Sequence, residues 1–129
     1  MVGKEILIVD DDKTVCKVMS LAFQDRGFKT YVAYHGDDAL KIYGEKHPSI
    51  ILLDVAMPGM DGFQVAAEIR RMQPVESHPI IVIMTATSRS FYVSKAMNIE
   101  IDSFLTKPIV SAEVVKHIQG LMAHHHENS

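Results

Sequence analysis

Five runs of β-branched and aliphatic residues recur along the chain: "EILIV" at 5–9, "KTYVAY" at 29–34, "SIILLD" at 49–54, "IIVIMT" at 80–85 and "SFLT" at 103–106. Strands without polar alternation are buried on both faces, which is the habit of parallel sheets. The 29–34 run is weaker and predicts an edge strand, and 103–106 is the shortest. Between the runs the apolar period lengthens to that of a helix. Residues 13–26 carry Val15, Val18, Met19, Ala22 and Phe23 at helical spacing, and Gly27 stops that helix. A second helix is predicted over 37–46, where Asp37 and Asp38 suit a helix N-terminus. A third spans 62–73 with Phe63, Ala66 and Ile69, ending before Pro74, and a fourth spans 88–98. The fifth, 111–123, carries Val114, Val115, Ile118, Leu121 and Met122 as a core stripe. Strand and helix alternate five times. That order predicts an α/β fold, a doubly wound parallel sheet with helices on both faces and right-handed crossovers.

In such sheets ligands sit beyond the C-terminal strand ends. Those ends hold Asp10, Asp11 and Asp12, then Tyr34, Asp54, Thr85 and Lys107. Chance placement would scatter such charged and hydroxyl groups. In "IILLDVAMPGMDG" (50–62) a carboxylate closes a greasy run and a Pro/Gly-rich loop follows. Asp12 and Asp61 read as helix caps. Gly59 and Gly62 suit a loop that needs positive φ or close packing.

The chain has 129 residues, 47% of them hydrophobic, enough for one domain with a sizeable core. A net charge of −3 gives no positive field to draw nucleic acid. The longest apolar run near the start is "ILIV", so neither a signal peptide nor membrane insertion is expected, and the expected location is cytoplasmic. Cys16 has no partner for an internal disulfide and reads as a small helix residue. Residues 124–129 form a polar tail, expected to be disordered; His124, His125 and His126 without a fixed scaffold preset no metal geometry.

The segments "ILIVDDD", "IILLDVAMPGMDGF", "IIVIMTA" and "FLTKP", in this order and spacing, resemble the receiver domain of two-component response regulators. The resemblance covers residues 4–122 and makes 1–123 the receiver domain. It implies a flavodoxin-like sheet of order 2-1-3-4-5. It implies that Asp54 is a phosphoacceptor, served by a sensor histidine kinase or a histidine phosphotransfer protein. Asp11, Asp54 and the Ala56 carbonyl would then ligate Mg²⁺, with Asp10 acting mostly through water. The physics agrees: clustered carboxylates repel unless a cation joins them, and oxygen-only donors suit Mg²⁺. Lys107 and the Thr85 hydroxyl would contact the phosphoryl oxygens, and backbone N–H groups near Ala56 and Ala86 would complete the cradle. Thr85 and Phe104 are the implied switch pair, and the fourth helix, fifth strand and fifth helix the face read by a downstream protein. Pro108 stands at the family's cis-peptide position, which would re-aim Lys107.

Departures fall on that face. Glu100 occupies a position where the family has glycine, so a reshaped turn is expected, and Phe91 and Tyr92 are expected to be exposed. Ala56 and Thr87 occupy the positions that tune phosphoryl lifetime in the family; neither positions a water well, so slow self-dephosphorylation is expected. The chain is expected to accept a phosphoryl group rather than act as a turnover enzyme. A phosphohydrolase of similar fold needs a second acid where Ala56 stands. A flavin module needs a phosphate loop where three aspartates stand. The remaining alternative is a receiver fold kept as a docking module and never phosphorylated. The opening methionine and polar close lead to the expectation of a stand-alone regulator acting by protein contact, without direct nucleic-acid binding.

Overall fold

A computed structural model describes residues 4–127, and side chains through His124. Strands β1 (Glu5–Val9), β2 (Lys29–Ala33), β3 (Ile50–Asp54), β4 (Ile80–Thr85) and β5 (Ser103–Thr106) alternate with helices α1 (Lys13–Gln24), α2 (Gly36–Lys46), α3 (Gly62–Met72), α4 (Arg89–Ala96) and α5 (Ser111–Glu127). All strand pairs are parallel, in the order β2-β1-β3-β4-β5. The weak 29–34 run is an edge strand, as its composition implied, and the short 103–106 run is the other edge, as the strand order of the resemblance implied.

The register explains the unbroken apolar runs. Ile6, Ile50 and Ile80 lie side by side, as do Leu7, Ile51 and Ile81. The first row points to one face, where Met19 and Phe23 of α1 and Val114, Val115 and Ile118 of α5 close the core. The second row points to the other, against Ala39 and Tyr43 of α2 and Val65, Ala66 and Ile69 of α3. Both faces are covered, so neither row tolerates a polar residue.

Four local expectations shift. Val18 is 48% exposed, and Cys16 takes the buried place on α1. α4 ends two residues earlier than 98, because Asn98 adopts a left-handed φ of 56°. Asn98 N–H donates to Lys95 O and Ile99 N–H to Ser94 O, the paired bonds of a Schellman stop. Asn98, not Glu100, supplies the left-handed residue, so Glu100 is not strained there. α5 runs to Glu127, past the expected domain end at 123. The side chains of His125 and His126, and residues 128–129, lie outside the described residues. Among the described residues, no helix is long and apolar enough to cross a membrane.

Candidate functional site

The carboxyl ends of β1, β3, β4 and β5 meet at one end of the sheet. Asp10 leaves β1 with its N–H donating to Ala33 O at 3.1 Å, which carries it into the sheet's last rung. Its side chain is buried, and Oδ1 accepts from Asp12 N–H at 2.9 Å. Asp12 turns outward and caps α1, accepting from Thr14 and Val15 N–H. Asp11, between them, is exposed. Asp54, the last residue of β3, is 2% exposed. Asp10, Asp11 and Asp54 each offer an oxygen, all within 4.8 Å of one another.

Lys107 answers that charge: its Nζ donates to Asp54 Oδ1 at 2.9 Å. Its backbone N–H donates to Thr85 O at 2.7 Å, and the Lys107–Pro108 bond is cis. Ala56 N–H also approaches Asp54 Oδ1, at 3.4 Å. Behind Asp54 the chain folds back on itself. Gly59 takes φ +79°, and Gly62 N–H donates to Val55 O. A Cβ on Gly62 would stand 2.5 Å from the Asp54 carbonyl oxygen, so only glycine lets α3 start this close. Asp61 and Gln64 exchange side-chain-to-backbone bonds in a capping box that fixes this start.

The electrostatics are unbalanced. Two carboxylates at such a separation repel by about 3 kcal/mol at an effective dielectric near 20. Burial pushes the Asp10 carboxyl up to about 6, with the Asp54 charge adding to it. Asp10 Oδ2 is buried without a hydrogen-bond partner. Burial alone would lower the Lys107 ammonium, but its bond to Asp54 and the charges of Asp10 and Asp11 hold it above its ordinary value. One lysine thus faces three acids. An orphaned buried oxygen among oxygen-only donors fits a hard divalent cation.

The other expected residues divide. Thr85 is buried beside the site, yet its hydroxyl is engaged with Thr87 O at 3.1 Å and Ser90 Oγ at 2.7 Å. Ala86 follows it, exposed. Phe104 is half-buried on β5, edge-on to Phe91 with ring centres 5.9 Å apart. Phe91 and Tyr92 are 43% and 70% exposed. Cys16 Sγ lies 3.2 Å from Asp10 O, and burial, with the Asp10 charge, pushes its thiol up to about 12. Burial and a raised thiol are the setting of a structural rather than a reactive cysteine. Sequence reasoning missed Ser90. The spacing of Ser90 and Ser94, four apart, was visible in the sequence, but that α4 buries this face was not.

A family model described as the response regulator receiver domain matches residues 6–119. Solved structures agree in fold. Chemotaxis protein CheY4 of Vibrio cholerae is 24% identical, with TM-score 0.82 over 91% of this chain and 97% of that one. A CheY-like receiver domain protein from Methanospirillum hungatei is 18% identical, with TM-score 0.86 over 98% and 99%. A response regulator receiver domain from Bermanella marisrubri is 26% identical, with TM-score 0.78 over 93% and 98%.

Proposed function

This chain belongs to the response regulator receiver domain family, and from that premise we propose that it accepts a phosphoryl group on Asp54 from a sensor histidine kinase or a histidine phosphotransfer protein. The observation that carries the reading is the Asp54 carboxylate, buried between the Lys107 ammonium and two further carboxylates. A surface aspartate with a structural role needs no such neighbours.

An Asp54 carboxylate oxygen forms the new P–O bond while the bond from phosphorus to the donor's imidazole nitrogen breaks, and the imidazole leaves with that electron pair. The product is an acyl phosphate. Such a transfer depends on positioning and charge more than on covalent help. Asp54 ends β3, an interior strand, and the glycine at 62 lets α3 start close against its carbonyl. Lys107 contributes a cation to the phosphoryl oxygens. The Thr85 hydroxyl and the N–H groups near Ala56 and Ala86 contribute hydrogen bonds. Mg²⁺ would be held by Asp11, Asp54 and the Ala56 carbonyl, with Asp10 behind them, and would neutralise charge that Lys107 alone leaves over.

The group is turned over slowly, because Ala56 and Thr87 offer no acid or amide to position water. The protein is a phosphoacceptor rather than a turnover enzyme. It works in the cytoplasm, and a downstream protein reads α4, β5 and α5 through a population shift. A docking module that is never phosphorylated is disfavoured, since it has no use for the buried acid cluster.

The test is intact mass after incubation with Mg²⁺ and acetyl phosphate, beside an Asp54→Asn control. Gain of one phosphoryl group by the parent only is expected. A folded parent that binds Mg²⁺ and gains none would overturn the small-donor reaction and turn belief toward docking alone or a strict need for the kinase.

A further inference from the structure

α4 is anchored differently from the other helices. Its buried residues are Ser90 and Ser94, while Phe91, Tyr92, Val93 and Met97 at and beyond its end are exposed. It contributes no residue to either core cluster. Where this helix meets the body, one hydroxyl bond stands beside the Phe91–Phe104 ring contact. Ser94 donates to Phe91 O at 2.8 Å, within the helix. Ser90, 4% exposed, reaches outside it, to Thr85 Oγ1 at 2.7 Å.

Thr85 has one hydroxyl hydrogen to share between two partners. Given to Thr87 O at 3.1 Å, it leaves Ser90 the donor of the 2.7 Å bond; given to Ser90, it makes Ser90 the acceptor. Thr85 also accepts from Thr87 N–H at 3.2 Å. In either arrangement the Thr85 hydroxyl is committed, and it cannot donate to a phosphoryl group until it leaves Thr87 O or Ser90 Oγ. If the oxygen moves toward Asp54, the buried Ser90 hydroxyl loses its Thr85 partner. A buried hydroxyl left unpaired is unfavourable enough to shift a two-state equilibrium severalfold.

We propose that Ser90 is a positioning residue: its hydrogen bond to Thr85 latches the N-terminal turn of α4 in the unphosphorylated arrangement, and phosphorylation competes with Ser90 for Thr85. This rests on the phosphoacceptor reading above. The latch makes α4 the element that gives way, because little apolar burial holds it. A cleft of about 370 Å³ lined by Thr85, Thr87, Ser88, Phe91 and Phe104 adjoins it and leaves space for repacking. The Phe91–Phe104 contact carries the movement to β5.

The experiment uses the full chain, Mg²⁺ and beryllium fluoride as a phosphoryl stand-in. Ser90→Ala should speed hydrogen exchange of the α4 amides at least about fivefold in the unliganded protein, with α1 and α2 unchanged. Alanine is the better helix former, so propensity works against that result. The same variant should bind beryllium fluoride about fivefold more tightly, since Thr85 is no longer contested. On a Thr85→Ala background, Ser90→Ala should leave that affinity unchanged. Ser90→Cys, which keeps the size but is a weak donor, should follow Ser90→Ala and serves if alanine impairs folding. Parental binding with unchanged Ser90 variants overturns the latch alone, as does an equal effect on both backgrounds. A parent that binds no beryllium fluoride overturns the phosphoacceptor reading and the latch with it.

Discussion

Gly62→Ala puts local propensity and tertiary packing in opposition. Gly62 opens α3, where alanine is worth up to about 1 kcal/mol over glycine. The new Cβ, however, stands 2.5 Å from Asp54 O and 2.9 Å from Val55 Cα. A carbon–oxygen contact relaxes near about 3.3 Å, so the strand end or the helix start must yield by roughly 0.8 Å. Neither obstacle is a flexible side-chain tip. β3 is an interior strand and the capping box pins the helix start, so the clash costs about 1–3 kcal/mol or more. The net expectation is a loss of up to about 2 kcal/mol or more in urea unfolding, and no gain. Because the displaced atoms belong to Asp54 itself, phosphorylation by acetyl phosphate should fall as well. Gly120→Ala is the control: it lies within α5 with nothing inside 4 Å of the added carbon. It should gain about 0.5–1 kcal/mol. If Gly62→Ala proves as stable as Gly120→Ala, the packing argument for the site is wrong.

Asp10 should make the metal-free protein less stable at neutral pH. Its folded value, about 6, lies above its ordinary 3.8, so the folded state binds the proton more tightly. Stability from this group is therefore present below about pH 4 and lost as pH rises toward 6. Asp10→Asn in a chelator should unfold at higher urea than the parent at pH 8, by up to about 3 kcal/mol, with the gap closing at pH 4; a gap that does not depend on pH contradicts this. Arg70 donates to Asp102, Pro79 O, Gln73 and Glu100 O, tying α3 to the approaches of β4 and β5. Arg70→Ala should lose about 2–4 kcal/mol, and Arg70→Lys should recover only part, since a point cation cannot fork; full recovery refutes the role. Cys16, buried and with its thiol pushed up to about 12, should resist iodoacetamide in the native protein and react once unfolded. Rapid native labelling would show that α1 opens readily.

Much of this molecule is written locally. Unbroken runs such as "IILLD" admit only strands covered on both faces, and five strand–helix alternations leave few topologies open. Polar groups at four strand ends located the site, because a parallel sheet gathers those ends in one place. Asp12 and Asp61 were legible as caps, since a cap is an interaction over three residues. Tertiary structure decided the rest. That Val18 faces water, that Asp10 Oδ2 is orphaned and that Gly62 is needed for contact with Asp54 depend on atoms far apart in sequence. The end of α4 turned on whether Asn98 or Glu100 takes the left-handed turn, and asparagine is the side-chain type that tolerates it better. Ser90 illustrates the limit most sharply. As a sequence feature it is a serine in a short helix; only the packing of α4 against β4 brings its hydroxyl to Thr85.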